Sequence, residues 1–242
     1  MQLKGECFRT QANRCTQRVL LNQQYYFIKQ YKGVGYKEII KNILQLKCPI
    51  LSAHTEWKAI QHLQKLSIPV PTLTAFGYRG KNPAKLHSFL CMEEITPIVS
   101  LEDLCATWPN QPPSFSFKLN LIQQVAHIAK TIHESGMNHR DFYICHFLLH
   151  KDTQKIYLID LHRAGIHTLL KSRWIIKDIA GLYFSSKDIG LTRRDYWRFM
   201  KNYRQSSLRD IIRNESDFWQ KIIVRGDKLY DAHARNQPTA TA

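Results

Sequence analysis

The spacing of hydrophobic positions divides the first part of the chain into two predicted strands and two predicted helices. Residues 19–31 hold an apolar run, a polar triplet and an aromatic run, which predicts two β-strands joined by a turn. Apolar residues then recur near helical spacing over 39–46. A second helix is predicted over 57–66, and Ser52 is placed to cap it.

A boundary between two lobes is predicted in the middle of the chain. Two further apolar runs predict strands near 73–78 and 88–92, and a polar connector follows at 93–97. A chain of 242 residues suits one domain or two small lobes that share a cleft. We therefore predict an N-terminal lobe at 1–96 and a C-terminal lobe at 97–242.

The second lobe is predicted to be mainly helical. The clearest amphipathic pattern covers 117–134, and Gly136 suits the C-terminal end of that helix. Further helices with basic exposed faces are predicted around 173–184, 192–204 and 207–224. Residues 236–242 are predicted to form a loose tail.

The segment between the long helix and the basic helices carries the candidate chemistry. It begins with His139-Arg140-Asp141, and His146 follows the aspartate by five positions. Two apolar runs separated by a polar turn come next, and the second run ends at Asp160. This order is typical of a kinase catalytic loop followed by a strand pair and a metal-binding aspartate.

Asp141 and Asp160 are the two carboxylates of this layout. Asp141 is the predicted catalytic base, which accepts the proton of the acceptor hydroxyl and aims its oxygen at the γ-phosphate of ATP. Asp160 is the predicted ligand of Mg²⁺. Taken alone, Asp141 is better explained as a residue that caps a turn, and an aspartate at the end of a strand, such as Asp160, is often only a turn former. The 19 positions from one to the other fit a hairpin that returns both carboxylates to one end of a cleft.

His146 stands where protein kinases place a metal-binding asparagine. Magnesium prefers oxygen ligands, so a histidine departs from that pattern. Two roles stay open: His146 binds the metal through a neutral ring nitrogen, or it only forms a hydrogen bond with Asp141 or with a phosphate.

Lys29 is the predicted phosphate-binding lysine, because it lies among apolar residues in a strand that precedes two helices and a strand pair. Its predicted acidic partner is Glu56, with Glu38 as the alternative. Glu56 is favoured because its helix directly precedes the strand pair that leads to the connector.

A glycine-rich phosphate loop is missing ahead of this lysine, since residues 8–18 contain no glycine. Two explanations stay open. Either a hairpin that carries Arg14, Thr16 and Arg18 covers the phosphates, or nucleotide binding is weak.

The formal net charge of +16 is unevenly distributed. Residues 1–90 carry 14 Lys and Arg against 3 Asp and Glu, and residues 165–228 carry 14 against 7. Residues 91–164, which hold the candidate carboxylates, carry 6 against 8. The basic segments favour an anionic partner, and the acidic segment suits a site that holds a metal cation. The alternative is a solvated basic surface without a specific partner.

Cysteine usage and hydropathy indicate the compartment. Six cysteines occur without a C-x-x-C pair or zinc-ligand spacing, which is typical of reduced thiols in a cytosolic protein. No apolar run approaches the roughly 18 residues that cross a bilayer, and no signal-type stretch is present. We therefore expect a protein on the cytoplasmic side of the membrane.

Four stretches carry a resemblance to a known family. They are GVGYKEIIKN at 33–42, EWKAI at 56–60, the catalytic segment at 138–149 and IDLHRA at 159–164. The run Tyr143-Ile144-Cys145-His146 is far more specific than His-Arg-Asp alone. In these stretches the chain resembles the lipopolysaccharide core heptose kinases of the RfaP/WaaP type.

The resemblance implies a fold and an activity. The expected fold is α+β, two-lobed and protein-kinase-like, with a small antiparallel-sheet N-lobe and a mainly helical C-lobe. The expected activity is transfer of the γ-phosphate of ATP, with Mg²⁺, to a hydroxyl of the first inner-core heptose of lipopolysaccharide. The predicted nucleotide-binding positions are Lys29, Glu56, Met92, Glu93 and Ile95, and the predicted metal ligands are Asp160 and His146.

The resemblance also implies work at the inner face of the inner membrane. The expected partners are the lipid A-linked core, the anionic surface of that membrane and acylated acyl carrier protein. Nucleic acid is not expected. Two alternatives stay open: a protein or small-alcohol kinase, and an inactive basic module that binds membrane or nucleic acid. The absence of an activation-loop signature after Asp160, where His162 replaces the usual glycine, disfavours a regulated protein kinase. The missing glycine loop favours the inactive module, whereas Lys29, Asp141 and Asp160 together oppose it.

Overall fold

Two compact units make up the chain. A computed structural model describes residues 6–11, 13–44 and 52–236. The first unit comprises Met1–Thr96 and the short segment Asp160–Arg163, and the second comprises Pro97–Ile159 and Ala164–Ala242.

A five-stranded antiparallel sheet forms the first unit, in the order β1-β2-β3-β5-β4. Its strands are β1 (Glu6–Gln11), β2 (Arg14–Leu21), β3 (Gln24–Tyr31), β4 (Leu73–Arg79) and β5 (His87–Glu93). The predicted turn between β2 and β3 consists of Asn22 and Gln23, whose φ angles of 49° and 65° match the tight turns that join twisted strands. The hairpin expected to carry Arg14, Thr16 and Arg18 is formed by β1 and β2.

The first unit contains two helices in its described residues, α1 (Gly35–Leu44) and α2 (His54–Lys65). The prediction that Ser52 caps α2 was wrong by one position: Ala53 is the N-cap residue. Ser52 Oγ instead accepts a hydrogen bond from the backbone of His54, the first helical residue, at 3.2 Å. The end of the first predicted helix falls at 45–51, outside the described residues.

Short strands and five helices form the described part of the second unit. The strands are β6 (Ile98–Ser100), β7 (Met137–Asn138), β8 (Phe147–His150), β9 (Ile156–Leu158) and β10 (Gly165–Ile166). The helices are α3 (Leu101–Cys105), α4 (Phe115–Glu134), α5 (Ser172–Ser185), α6 (Arg193–Arg204) and α7 (Leu208–Asn236). Strands β6, β8 and β9 form one antiparallel sheet, and β7 pairs with β10.

Helix α4 ends where the sequence predicts. Gly136 follows it with a φ of +82°, the left-handed conformation that glycine adopts most easily. At its N-terminus α4 begins two residues earlier than predicted, because Ser114 caps it by accepting from the backbone of Phe117 at 3.4 Å.

Helix α7 corrects the prediction for the end of the chain. It was expected to stop at residue 224 but continues to Asn236. Gly226 does not end it, since this glycine lies where a Cβ atom would come within 2.4 Å of the Tyr183 ring of α5. Packing against a neighbouring helix therefore explains the glycine, and the rest of the predicted tail lies outside the described residues.

The sheet of the first unit and the helices of the second confirm the predicted α+β class. No helix in the described part of the chain is both long enough and apolar enough to pass through a membrane.

Candidate active site

The first unit brings the predicted phosphate-binding lysine and its favoured partner together. Lys29 lies on β3, between β2 and β5, and its Nζ is 2.5 Å from Oε1 of Glu56. Glu56 lies in the first turn of α2 and is only 2% exposed. Tyr31, on the same face of β3, donates its hydroxyl to Oε2 of Glu56 at 3.2 Å. Helix α1 contains the alternative partner, Glu38, whose side chain lies outside what the structure describes.

The hydroxyl of Tyr31 is held in its neutral form. Burial raises its pKa above the usual range, and the charge of Glu56 raises it further. Tyr31 is therefore a permanent hydrogen-bond donor to Glu56, and Lys29 supplies the second contact. The carboxylate of Glu56 is thus satisfied on both oxygens although it is buried.

Asp160 lies in the first unit together with Lys29. Its Oδ1 is 3.6 Å from Nζ of Lys29 and 3.6 Å from Nη2 of Arg14, and Nδ1 of His162 donates to it at 2.5 Å. Burial raises the pKa of this carboxyl, but the hydrogen bond from His162 and the charges of Lys29 and Arg14 outweigh it and hold the pKa well below its usual range. Asp160 is therefore a carboxylate at neutral pH.

Two arginines of the β1–β2 hairpin, Arg14 and Arg18, form ion pairs within the first unit. Arg14 contacts Asp160, as described, and Thr16 is buried. Arg18 donates to both carboxylate oxygens of Glu94, at 3.0 and 2.8 Å, and lies over the ring of Tyr25. A bidentate arginine fixes geometry as well as charge, so this hairpin is tied to the end of β5.

The remaining predicted nucleotide-binding positions lie at and beyond the end of β5. Met92 is buried and pairs with Phe27 of β3. Glu93 is the last residue of β5, and its backbone donates to the carbonyl of Thr72 at 3.0 Å. Ile95 is half-buried two residues later. Their contact with nucleotide stays a prediction.

The second unit holds Asp141 and His146 in one compact loop. The backbone carbonyl of Asp141 accepts from Nδ1 of His146 at 2.7 Å and from the backbone of Tyr143 at 2.9 Å. A carbonyl oxygen only accepts, so Nδ1 carries the proton, and the lone pair of the neutral ring lies on Nε2. Below them the fully buried His139 stacks on His146 and donates through Nε2 to the carbonyl of Ile159 at 3.0 Å.

Asp178, which contacts the backbone just ahead of Asp141, is a residue that the sequence analysis missed. It lies on α5 with no exposed surface and accepts from the backbone of His139 at 2.6 Å and of Arg140 at 2.9 Å. Arg140 has a φ of +73°, which costs about 1–3 kcal/mol for a residue other than glycine. Asp178 therefore holds the backbone just ahead of Asp141 in a conformation it would not otherwise keep.

One signal in the sequence points to Asp178. It is an acidic residue in an otherwise apolar helical pattern, between Ile175, Ile176 and Ile179. A carboxylate on the buried face of a helix requires polar partners, but the pattern does not show that these are two backbone N–H groups 38 and 39 residues earlier.

Each predicted metal ligand offers a suitable atom. Asp160 supplies an ionised carboxylate, the ligand type that Mg²⁺ prefers. His146 supplies Nε2, and the hydrogen bond from its Nδ1 to the carbonyl of Asp141 fixes the orientation of the ring. The described residues contain no group of three or more His, Cys, Asp and Glu that could hold a metal ion alone. Magnesium usually keeps waters and phosphate oxygens among its ligands, and the roles of Asp160 and His146 as its ligands stay predictions.

Comparisons with known proteins identify the family. The sequence model of the lipopolysaccharide kinase (Kdo/WaaP) family matches residues 1–203. The chain is 44% identical over 239 residues to the lipopolysaccharide core heptose(I) kinase WaaP of Escherichia coli, covering 96% of this chain and 90% of that protein. It is 41% identical to the WaaP of Pseudomonas aeruginosa strain PAO1, covering 96% and 89%. A solved structure of WaaP in complex with acyl carrier protein matches with a TM-score of 0.81 and 38% identity, over 94% of this chain and 90% of the other.

Proposed function

Since the chain belongs to the lipopolysaccharide kinase (Kdo/WaaP) family, we propose that it transfers the γ-phosphate of ATP to a hydroxyl of heptose I in the lipopolysaccharide core. The observation that carries this proposal is the cluster in the first unit, where Lys29 contacts the buried Glu56 at 2.5 Å and the ionised Asp160 at 3.6 Å. A lysine fixed between two carboxylates is poised to hold phosphate oxygens.

Each residue has one role in the proposed reaction. Lys29 holds phosphate oxygens, and Glu56 keeps the lysine in place. Asp160 and His146 would each offer a ligand atom to Mg²⁺, which would supply positive charge beside the phosphates. Asp141 accepts the proton of the heptose hydroxyl. The hydroxyl oxygen forms a bond to the γ-phosphorus while the bond from that phosphorus to the bridging oxygen breaks, and ADP leaves.

The direct test is phosphorylation of a defined acceptor. Purified protein is incubated with ATP, Mg²⁺ and dephosphorylated lipopolysaccharide core, and the product is examined by mass spectrometry for the addition of one phosphate to heptose I. The matched variant is Asp141→Asn, which keeps the shape of the loop and removes the base, and we expect its rate to fall by about 10²–10⁴-fold. Equal rates for the variant and the unchanged protein would refute the role of Asp141, and absence of product with the unchanged protein would refute the activity.

Acyl carrier protein is a second proposed partner. The related WaaP was solved with this protein, and the second unit of our chain encloses a cavity of about 620 Å³. The cavity is lined mainly by apolar side chains of α4, α5, α6 and α7, among them Leu121, Val125, Leu182, Phe199, Trp219 and Ile222. A pocket of this size and polarity suits a fatty acyl chain, since each buried methylene stabilises binding by about 0.8 kcal/mol.

The test of this partner compares two neighbouring residues on α7. Ile223 is partly exposed and lines the cavity, whereas Val224 is equally exposed and does not line it. We expect Ile223→Trp to weaken binding of acylated acyl carrier protein in size-exclusion chromatography, and Val224→Trp to leave it unchanged. Equal binding by both variants would argue against an acyl chain in the cavity.

The anionic inner face of the inner membrane is the third proposed partner. Leu169 is 82% exposed in the segment between β10 and α5, and Ile166, the last residue of β10, is 47% exposed. Lys171 and Arg173 follow shortly after them in the chain. Apolar side chains beside basic ones suit a membrane surface with anionic lipids. We expect the protein to sediment with anionic vesicles but not with neutral ones, and less so as salt rises. Equal, salt-insensitive binding to both would remove this proposal.

A further inference from the structure

A buried histidine of α4 lies beside the candidate catalytic loop. His133 is in the last turn of α4, and its Nε2 is 3.5 Å from Oδ2 of Asp178, the carboxylate that holds the backbone just ahead of Asp141. The centroid of its ring is 6.1 Å from that of Phe142, the residue that follows Asp141. The imidazole of His133 therefore lies next to the residue that supports the loop and next to the loop itself.

A tyrosine of α6 reaches the other nitrogen of this imidazole. Tyr203 is buried in the last turn of α6, and its ring centroid lies 5.9 Å from that of Phe199 and 5.9 Å from that of Trp219. The Phe199 ring is stacked on it at 9°, and the Trp219 ring meets it edge-on at 87°. Because these two rings hold Tyr203 in place, its hydroxyl oxygen is fixed at 2.9 Å from Nδ1 of His133.

The hydroxyl of Tyr203 is the donor in this pair. Burial raises its pKa above the usual range and outweighs the opposing charge of Arg204, so the hydroxyl keeps its proton at neutral pH. In the described part of the chain, Nδ1 of His133 is the acceptor within hydrogen-bond distance of it. If Nδ1 carried a proton, the buried hydroxyl proton would lack a partner, and the lone pair on Nε2 of a neutral ring would face the carboxylate of Asp178. The neutral ring therefore carries its proton on Nε2, on the side of Asp178.

The place of this proton matters to Asp178 because the carboxylate has no exposed surface. Among the described residues, no lysine or arginine forms an ion pair with Asp178, so its charge is stabilised by two backbone N–H groups of the loop and by the N–H of His133. The contact of 3.5 Å is longer than the about 2.7–3.2 Å of a hydrogen bond, so it acts as an electrostatic attraction. A proton on Nδ1 instead of Nε2 would turn this attraction into a repulsion.

We propose that Tyr203 is a positioning residue for the phosphate transfer. By donating to Nδ1 of His133, Tyr203 directs the N–H of the imidazole at Asp178, and Asp178 keeps the backbone ahead of Asp141 in its working conformation. Tyr203 acts only through these neighbours and touches neither substrate. This inference rests on the proposed function and adds to it a residue that aligns the base.

The protonation of His133 is tested without any assay of activity. Protein whose histidine rings are labelled with ¹⁵N is studied by NMR, in which a ring nitrogen without a proton resonates far from one that carries a proton. The signals of His133 are identified by their loss in His133→Gln. We expect Nδ1 to be unprotonated in the unchanged protein and at least partly protonated in Tyr203→Phe, which removes only the hydroxyl. A protonated Nδ1 in the unchanged protein, or no change of Nδ1 in Tyr203→Phe, overturns the proposal.

The effect on catalysis is measured by steady-state kinetics with ATP, Mg²⁺ and dephosphorylated lipopolysaccharide core. We expect Tyr203→Phe to lower kcat by about three- to tenfold, the worth of one hydrogen bond, while the KM of the acceptor and the Kd of ATP change by less than about twofold. The matched control is Tyr230→Phe, which removes a hydroxyl that donates to Asp188 at 2.9 Å in the same unit and should leave kcat unchanged. Urea unfolding checks that both variants are folded under the assay conditions. An unchanged kcat in Tyr203→Phe, or an equal loss in both variants, overturns the proposal.

Variants of His133 separate positioning from a general loosening of the fold. The amide nitrogen of His133→Gln lies as many bonds from the backbone as Nε2 and donates without help from Tyr203, whereas His133→Leu has no donor. We expect His133→Leu to lose at least as much kcat as Tyr203→Phe and His133→Gln to lose less, a comparison that also holds if Tyr203→Phe does not fold. Adding Tyr203→Phe to His133→Gln should lower kcat no further. Equal losses in the two His133 variants, or additive losses in the double variant, overturn the proposal.

Failure of the proposed function is recognised separately. If the unchanged protein phosphorylates no acceptor, the activity is refuted, and the NMR measurement still decides on the contact between Tyr203 and His133. A change in the protonation of Nδ1 in Tyr203→Phe then supports this contact, and the absence of such a change overturns it.

Discussion

Replacing Asp178 by asparagine tests whether this buried carboxylate aligns the catalytic loop. The side chain keeps its size but loses its charge, and one of its two oxygens becomes an NH₂ group. That group cannot accept the hydrogen bond now donated by the backbone of His139 or of Arg140, at 2.6 and 2.9 Å. One of the two charge-assisted hydrogen bonds is therefore lost, and its buried backbone N–H is left without a partner. The remaining hydrogen bond is accepted by an uncharged amide oxygen instead of a carboxylate.

The expected loss in the free energy of unfolding is about 3–4 kcal/mol, since hydrogen bonds to charged groups contribute about 1.5–3 kcal/mol and a stranded buried donor costs a similar amount. This exceeds the cost of about 1–3 kcal/mol for the left-handed backbone of Arg140. We therefore expect the loop to relax and Asp141 to move away from its working position. A shift on the order of 1 Å lowers kcat by about 100-fold.

The assay separates alignment of the loop from binding of the nucleotide. Lys29, Glu56 and Asp160, the residues proposed to bind the phosphates and the metal, belong to the other unit, and Asp178→Asn does not change them. We expect the Kd of ATP, measured by calorimetry, to change by less than about twofold while kcat falls. The matched control is Asp217→Asn, an exposed aspartate of α7. An unchanged kcat, or a loss of ATP affinity as large as the loss of kcat, would refute this account of Asp178.

Three further predictions follow from the same geometry. Lys29→Met is expected to lower the free energy of unfolding by about 3 kcal/mol, because it leaves the buried Glu56 without its cation, and to weaken ATP binding more than tenfold. When Glu56→Gln is added, urea unfolding should show that stability is restored, whereas calorimetry should show that ATP binding is not. Recovery of both would contradict the prediction. Burial raises the pKa of Asp195, but hydrogen bonds that include one from Lys118 outweigh it and bring the pKa to about 2, so its contribution to stability is present above pH 4 and is lost as the pH falls toward 2. Asp195→Asn should therefore lower the free energy of unfolding by about 2 kcal/mol at neutral pH. In urea unfolding, the difference in stability between the variant and the unchanged protein should become smaller between pH 4 and pH 2. A difference that does not change with pH would count against this prediction. Gly136→Ala should lower the free energy of unfolding by about 2–4 kcal/mol, because φ is +82° and the new Cβ would lie 2.2 Å from a carbonyl oxygen; a loss below about 1 kcal/mol in thermal or urea unfolding would show that the turn can shift.

Features set by neighbouring residues in the chain could be predicted from the sequence. The spacing of apolar residues predicted α4 and the two strands β2 and β3, because each of these elements buries one face, and neighbouring residues decide which face is apolar. The α+β class and the family followed from the same local patterns together with the specific run that ends at His146.

Features set by distant contacts could not be predicted in this way. The glycine at position 226 inside α7 is explained by the Tyr183 ring of α5, 43 positions earlier. The hydrogen bonds of Asp178 are to backbone groups of a preceding loop. The pKa of Asp160 is lowered by the hydrogen bond from its near neighbour His162, but also by the charges of Lys29 and Arg14, which lie more than 130 positions earlier in the chain. Nothing in the local pattern around these residues identifies such partners, because each contact arises only when the chain folds back on itself.

The assignment of Asp160–Arg163 to the first unit constrains how relatives of this protein can be recombined. A hybrid spliced at residue 96 would combine Lys29 and Glu56 of one parent with Asp160 and His162 of the other. The ion pairs that hold Lys29 and Asp160 would then join side chains that have not evolved in one another's presence. A second hybrid takes the segment Asp160–Arg163 from the same parent as residues 1–96, so that Lys29, Asp160 and their partners in these ion pairs come from one protein. We expect this second hybrid to fold and bind nucleotide where the simple splice does not.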